Sequence, residues 1–545
     1  MTNLLFFFVA VFIFLLSVAL AIYLNKKRLI KKIDERWGKF HVSYYDLETS
    51  KLYTRFNTQR DFKDIYTVDD ETWKDLNLDE LFEVMNRAIT PIGSQILYDM
   101  LKHPRTSNGE LNKREKLLDL FSQNISLRRN IQISLLGLAK VPAKHLAYSL
   151  WHPIPEKPKY SFVFYLLSAL SVWFAALSVI GMIHWGFMIL MYMVNIIVYR
   201  FYEKKLNEFV VSFQFLSELI GKSHKIASLL PNELNELRNE LKNELKQTKS
   251  ISKKVYSLQL DASNNPLVAV YNSYTLAPIT GFISAVDSLK KNINSLQRIF
   301  EIVGYLDALV AVASYRKQFP NYCQPVLSSE KDFCVKNIIH PLVVNPVPND
   351  FTFDTKCLLI TGSNMSGKST FLKTLGINAL LAQTFNMCFA EKYEAPFLRV
   401  ISSIERSDDL INGKSYYMSE VESILRIVNS SKTESVYLFL IDEIFRGTNS
   451  VERTAASIEV LRFLNNQKDF VIVATHDLQL TDILSTSYQN FHFRETMTDT
   501  GLSFDYKLHP DKSSSKNAIA LLKFVGYPQE IVDEANRHIG IEKHP

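Results

Sequence analysis

Hydrophobic positions along this chain fall into three kinds of pattern. The first is the unbroken run. Leu4–Leu24, LLFFFVAVFIFLLSVALAIYL, is 21 residues without a charge. At about 1.5 Å per residue it crosses a hydrocarbon layer of roughly 30 Å. Residues 161–199 hold no Asp, Glu, Lys or Arg, enough for two short spans with a turn near Gly181 to Gly186. A soluble helix usually shows a polar stripe, and none is visible, so the pattern predicts three transmembrane helices. The second kind has helical spacing. In DLNLDELFEVMNRA, Leu76, Leu78, Leu81, Phe82 and Met85 fall near a 3.6-residue period. ITPIGSQILYDMLKHP follows, with Pro91 and Gly93 punctuating two helices. In PNELNELRNELKNELKQ, Leu234, Leu237, Leu241 and Leu245 make a narrow stripe suited to a lever or coiled-coil arm, with Pro231 in its first turn. Residues 285–316 read as another helix pair. The third kind begins after His340, where short β-rich runs (CLLIT, VYLFLI, FVIVAT) alternate with helices. That alternation predicts an α/β domain with a mainly parallel sheet.

The expected organisation is therefore an N-terminal anchor and basic linker over 1–60 and the first part of a helical core over 61–155. A transmembrane hairpin over 156–204 and a second part of the core over 205–335 follow, and an α/β domain over 336–545 closes the chain. Charge adds an orientation. Met1–Asn3 carry no positive side chain, whereas Lys26, Lys27, Arg28, Lys31 and Lys32 follow the first run. This opposes a cleaved signal peptide, although Ala19–Ala21 mimics a cleavage site. Lys157 and Lys159 precede the second run, and Arg200, Lys204 and Lys205 follow it. The positive-inside rule then puts the N-terminus outside and everything after residue 205 in the cytoplasm. A net charge of +6 permits contact with nucleic acid or an anionic membrane and decides neither. With 47% hydrophobic and 22% charged residues, wholesale disorder is excluded. Cys323, Cys334, Cys357 and Cys388 lack the spacing of a zinc site and read as reduced thiols.

GSNMSGKS, Gly362 to Ser369, fits G-x-x-x-x-G-K-[ST] between an apolar strand and a helix, the context that pattern needs. Gly362 and Gly367 let the backbone curl so that the amides of Ser363, Asn364, Met365, Ser366, Gly367, Lys368, Ser369 and Thr370 face phosphate oxygens at a helix N-terminus. Lys368 reaches the β- and γ-phosphates and the Ser369 hydroxyl ligates Mg²⁺. VYLFLIDE ends in two acids: Asp442 is placed for Mg²⁺, and Glu443 to polarise water for attack on the γ-phosphate. FVIVATHD ends at His476, read as a γ-phosphate sensor. ATP and Mg²⁺ are the expected ligands.

TGSNMSGKSTFLKTLGINALLAQ, SDDLINGKSYYMSEV, LFLIDEIFRGTNSVERTAAS and ATHDLQL, in this order and spacing, resemble the ATPase domain of the MutS family of DNA mismatch-repair proteins. The tail YKLHPDKSSSKNAIALLKFVGYPQEIVDEA is similar to that family's closing segment. DLNLDELFEVMNRAITPIGSQILYDMLKHP is similar to the start of its helical core, and GYLDALVAVASY and IIHPLV to the core's end. The resemblance covers roughly residues 70–150 and 260–545. It implies that Gly362–Thr370 hold ATP, with Ser369 and Asp442 at Mg²⁺, Glu443 catalytic and His476 sensing the γ-phosphate. Ser415 matches the family serine that reaches the partner subunit's nucleotide, which implies composite sites and a homodimer. Arg446, Gly447 and Thr448 match the turn after the two acids.

The departures are also informative. Ser366 stands where the family usually has Gly, and FAEKYEAP replaces its usual Val-Pro-Ala segment. Only about 70 residues precede the core, so the mismatch-reading and connector domains are expected to be absent. The Phe-x-Glu triplets at Phe389–Glu391 and Phe493–Glu495 lie inside the ATPase stretch and are rejected as mismatch wedges. The expectation is a membrane-tethered ATP hydrolase that binds duplex DNA as a dimeric clamp in mismatch repair or related DNA maintenance. Its partners would be a lipid bilayer and unidentified repair proteins. A membrane-bound, ATP-driven dimeric switch that reads no DNA is the alternative. An ABC transporter fits poorly, because three spans are too few and its signature does not match.

Overall fold

A computed structural model describes residues 2–40, 45–57, 65–139, 143–154, 156–249, 251, 266–328, 333–353, 356–363, 365–404, 416–445, 449–498, 501–512, 519, 522 and 525–541. Contacts gather the chain into two units. One comprises Met1–Arg60, Glu83–Asp99 and Lys116–Gln318; the other comprises Asp61–Phe82, Met100–Glu115 and Phe319–Pro545.

The first unit is helical among its described residues and is organised around the helix Ile293–Gln318. Leu296, Ile299, Phe300, Val303, Leu306 and Val310 are all buried on it. A helix that is apolar nearly all round belongs at the centre of a bundle. Its one buried carboxylate, Asp307, meets the start of the helix Pro91–Lys102. Asp307 accepts from the Ile89 amide at 3.0 Å, the Thr90 amide at 2.7 Å and the Thr90 hydroxyl at 2.6 Å. Thr90 Oγ1 in turn accepts from the Gly93 amide at 2.9 Å, which makes Thr90 an N-cap. Gly93 is required by proximity: a Cβ there would lie 2.3 Å from Asp307 Oδ2. Thus the T-P-I-G stretch is a carboxylate-sealed helix start. Burial pushes the Asp307 carboxyl up to about 6.

Ser161–Val179 is the one helix among the described residues long and apolar enough to cross a membrane, and little of it is buried. The expectation of three transmembrane helices is corrected on this point. Among the described residues the second half of the apolar hairpin does not qualify as a separate span. It is the opening of the 44-residue helix Gly186–Leu229, whose apolar part, Gly186–Tyr202, is shorter than a span. Asn195 on it is buried and donates to Ser171 Oγ and to the Tyr274 carbonyl, both at 2.6 Å, whereas Phe187, Leu190, Met193, Ile197 and Phe201 stay exposed. The first apolar run merges into the basic end of the helix Thr2–Arg36, and several side chains within Leu4–Leu24 lie outside the described residues. Composition alone does not separate lipid-facing from protein-facing apolar surface.

The second unit carries ten strands among its described residues. They are β1 (Val326–Leu327), β2 (Cys334–Ile338), β3 (Asn349–Thr352), β4 (Cys357–Thr361), β5 (Lys392–Ala395), β6 (Arg399–Ser403), β7 (Tyr437–Asp442), β8 (Phe470–Ala474), β9 (Gln489–Thr498) and β10 (Gly501–Pro510). A six-stranded sheet runs β10-β9-β4-β8-β7-β6, and a four-stranded sheet runs β1-β5-β2-β3. Strands β6, β7, β8, β4 and β9 are mutually parallel, whereas β10 is antiparallel to β9. The smaller sheet combines a parallel pair, β1 with β5, and antiparallel pairs of β2 with β3 and β5. The expected mainly parallel sheet is therefore corrected to two mixed sheets. The pairs β9–β10 and β2–β3, each joined by a short connection, run antiparallel, because a parallel return needs a long crossover. Strands β4, β7 and β8 are buried along their whole length, as strands covered on both faces must be. The edge strand β6 is covered by the helix Asp70–Asp75: Asp75 Oδ2 accepts from Ser402 Oγ at 2.7 Å and from the Ile404 amide at 2.8 Å.

Candidate functional site

Order in the larger sheet makes the site. β4, β8 and β7 lie side by side and point the same way, so the segments leaving their carboxyl ends converge. Open sheets with parallel strands bind ligands at such ends. From β4 the chain enters the loop at Gly362 and then the helix Lys368–Phe385. Gly362 has φ 146° and Gly367 φ 106°, values that side chains with a Cβ rarely adopt. A Cβ on Gly362 would lie 2.6 Å from Ser366 Oγ and 3.1 Å from the Phe493 carbonyl. Ser366 is buried and donates to the Ser363 carbonyl at 2.8 Å. A small side chain is thus accommodated where the family pattern usually has Gly. Met365 is 76% exposed. Asn364 lies outside the described residues.

Lys368 is buried. Its Nζ donates to the Gly362 and Ser363 carbonyls, both at 2.7 Å, and lies 3.3 Å from His476 Nε2. Ser369 Oγ donates to Asp442 Oδ2 at the end of β7. Glu443 follows with φ 53°, and Phe445 has φ 60°. Left-handed backbone at two bulky residues costs of order 1 kcal/mol each and concentrates at functional sites. The Glu443 amide donates to the Ala474 carbonyl at 2.9 Å, tying the ends of β7 and β8 together. His476, just after β8, approaches Glu443 Oε1 through Nε2 at 3.0 Å. That nitrogen has either a proton to give Glu443 or a lone pair to take from Lys368, never both. The structure therefore brings together Gly362, Ser363, Ser366, Gly367, Lys368, Ser369, Asp442, Glu443 and His476. Thr370 is in the first turn of the same helix. Ser415, Arg446, Gly447 and Thr448 lie outside the described residues.

Beside the loop lies a cleft of about 520 Å³. Gly367, Lys368, Ser369 and Thr370 form one wall, and Val343, Val344, Phe493 and Tyr506 form part of the others. Sequence reasoning missed these wall residues. Asn349 organises them: its Nδ2 donates to the Tyr506 carbonyl at 3.0 Å and its Oδ1 accepts from the Leu508 amide at 2.7 Å. This clamps the register shift between Phe504 and Leu508 in the β9–β10 pairing, where Tyr506 takes φ 53°. Asn349 stands in the Pro- and Asn-rich stretch VVNPVPNDFTF, which gives no signal for this role. His340, also on the cleft, is held neutral, its imidazole pulled down to about 4 by burial and by the Lys373 ammonium.

Two family models match the chain: MutS domain III over residues 64–313 and MutS domain V over 358–541. The chain belongs to the MutS family. Among its relatives, the DNA mismatch repair protein MutS of Natronomonas pharaonis is 27% identical over 304 residues, covering 54% of this chain and 35% of that protein. The protein of the same name from Lactobacillus delbrueckii subsp. bulgaricus is 31% identical over 302 residues, covering 53% and 35%. That of Thermus aquaticus is 31% identical over 258 residues, covering 47% and 31%. The chain thus spans about a third of the length of these curated relatives. The MutS domain V match contains every residue of the loop and of the two strand ends. The MutS domain III match contains Thr90, Gly93 and Asp307.

Proposed function

We propose that this MutS-family chain is an ATP hydrolase working in DNA mismatch repair or related DNA maintenance. The observation that carries the reading is the convergence of Lys368, the Ser369–Asp442 pair and the Glu443–His476 pair at three adjacent strand ends. The triphosphate lies along Gly362–Thr370. The first-turn amides of an 18-residue helix lack intrahelical partners and favour anions. The buried Ser363 hydroxyl has no hydrogen-bond partner among the described residues, which suits a cradle built for an additional acceptor. Lys368 turns from the loop carbonyls to the β- and γ-phosphates. The base enters the cleft walled by Val343, Val344 and Tyr506.

Ser369 Oγ and the Asp442 carboxylate fit Mg²⁺, a hard cation that takes one or two protein oxygens and completes its shell with phosphate and water. The ion supplies charge neutralisation on the phosphates. Glu443 orients and deprotonates the attacking water. His476 releases Lys368 and, with one Nε2 proton to give, bonds either Glu443 or the γ-phosphate, so phosphate arrival frees the carboxylate for water.

Two further elements of the proposal rest on the family. Dimerisation would bring Ser415 to the partner's nucleotide, and duplex DNA would be held chiefly through its phosphates. Membrane association rests on the exposed apolar helix Ser161–Val179, with the ATPase domain in the cytoplasm. The test is phosphate release by the purified full-length protein with Mg²⁺ and ATP, beside Glu443→Gln. The variant should bind ATP as the parent does and lose turnover by at least about a hundredfold. Equal turnover refutes the role of Glu443, and absence of both binding and turnover in the parent refutes the function.

A further inference from the structure

A second cavity, of about 490 Å³, opens inside the helical unit, and the nucleotide reading assigns it nothing. The volume is within the range of small-molecule pockets. Its apolar wall is made by Leu29, Ile33, Trp37, Leu136 and Val310. Lys32, Arg36 and Arg87 also line it, and no Asp or Glu does so among the described residues. The nearest acids on the same helix are engaged elsewhere. Asp34 takes both prongs of Arg129 at 2.8 and 2.6 Å, and Glu35 lies 3.9 Å from Lys31. An apolar chamber with three cationic side chains and no carboxylate is complementary to an amphiphile with an anionic head.

Two buried polar atoms sharpen this. Arg87 is 5% exposed and Gln132 7%. Arg87 gives its Nη atoms to the Ser314 carbonyl and to Gln318. Its Nε, and Gln132 Oε1, have no hydrogen-bond partner among the described residues. Buried polar atoms left unpaired cost roughly 1–3 kcal/mol each, and both belong to side chains that line the cavity, so a polar group entering it gains a donor and an acceptor once these side chains turn toward it. The walls are fixed rather than collapsible. The Arg128 guanidinium stacks 3.8 Å from the Trp37 ring centroid. Tyr45 Oη donates to the Ile89 carbonyl at 2.7 Å and lies 3.1 Å from the Ala139 carbonyl.

We propose that this cavity binds an acyl-chain amphiphile with an anionic head. The chain lies along Leu29, Ile33, Trp37 and Val310, and the head meets Arg87, Gln132 and the Lys32–Arg36 side. The proposal stands independently of ATP hydrolysis.

The test uses the full-length protein in phosphatidylcholine nanodiscs, with a dansyl-labelled fatty acid as probe and protein-free nanodiscs subtracted. A saturable fluorescence gain displaced by oleate, and not by oleyl alcohol, is expected. Arg87→Met should weaken binding by about tenfold or more, the loss of one charge-assisted contact. Leu136→Trp, which fills the chamber and leaves the Arg87 hydrogen bonds in place, should remove the saturable component with the melting temperature retained. Repeating the titration in nanodiscs containing phosphatidylglycerol identifies the source. Loss of probe binding there assigns the site to a bilayer lipid, and its retention assigns it to a free fatty acid. No saturable gain, equal displacement by oleyl alcohol, or parent-like binding by both variants overturns the proposal.

Discussion

Lys368 and Asp307 are two buried charges with opposite kinds of partner. Lys368 Nζ rests on two loop carbonyls, both of which, in the proposed function, would give way to phosphate oxygens of full negative charge. Hydrogen bonds to charged groups contribute about 1.5–3 kcal/mol, so Lys368→Ala is expected to weaken ATP binding by roughly ten- to a hundredfold. Equilibrium titration with a fluorescent ATP analogue checks this. Asp307 is a stability element. Its folded-state value of about 6 exceeds the ordinary 3.8, so the folded chain binds that proton more tightly than the unfolded chain. The associated stability is fully present below pH 3.8 and is lost as pH rises to about 6. The gap amounts to roughly 3 kcal/mol. In Asp307→Asn that slope should vanish, measured as melting temperature against pH from 4 to 7. A slope equal to the parent's would assign it to other carboxylates. None of this partnership was legible in the sequence, because Thr90 and Asp307 are 217 positions apart. The tight turn from Gly362 to Ser369 was legible because its residues are contiguous and local geometry demands glycine at Gly362 and Gly367.

At the scale of elements, the strand ends were readable and their neighbours were not. Asp442, Glu443 and His476 each close an apolar run, and a parallel sheet brings such ends together. The cleft residues come from distant segments joined by Asn349 and by the left-handed turn at Tyr506, for which hydrophobic periodicity has no signal. The number of spans was misread for a related reason: a run without charges records a dry environment, whether lipid or protein supplies it. Asn195 is the telling position. It donates to Ser171 and to the Tyr274 carbonyl, and Tyr274 Oη returns a bond to the Ser171 carbonyl at 2.8 Å, linking three helices. Asn195→Ala should loosen that junction by about 1–2 kcal/mol, read as a lower unfolding temperature of the full-length protein in detergent. Asn195→Gln, which keeps the donor, should recover part of the loss. A melting temperature unchanged in the alanine variant would show that the three-way link carries no stability.

For the whole molecule, the two compact units divide the labour: one carries the strand-end site and the other the Asp307-sealed bundle. The proposed DNA contact runs chiefly through phosphates. The logarithm of affinity for a duplex should then fall linearly with the logarithm of salt, by about 0.9 per phosphate neutralised. Matched and mismatched duplexes should give nearly parallel lines. A salt-independent affinity, or none at low salt, would remove DNA from the proposal.

The helix Gly186–Leu229 runs 44 residues without a break, about 66 Å at the usual rise. An unhinged rod of that length is a pointer. Leaning its apolar opening by some 10° swings the tip beyond residue 203 sideways by roughly 7 Å, because about 40 Å of shaft follows. Small changes in how one end is seated thereby become atomic-scale displacements at the other.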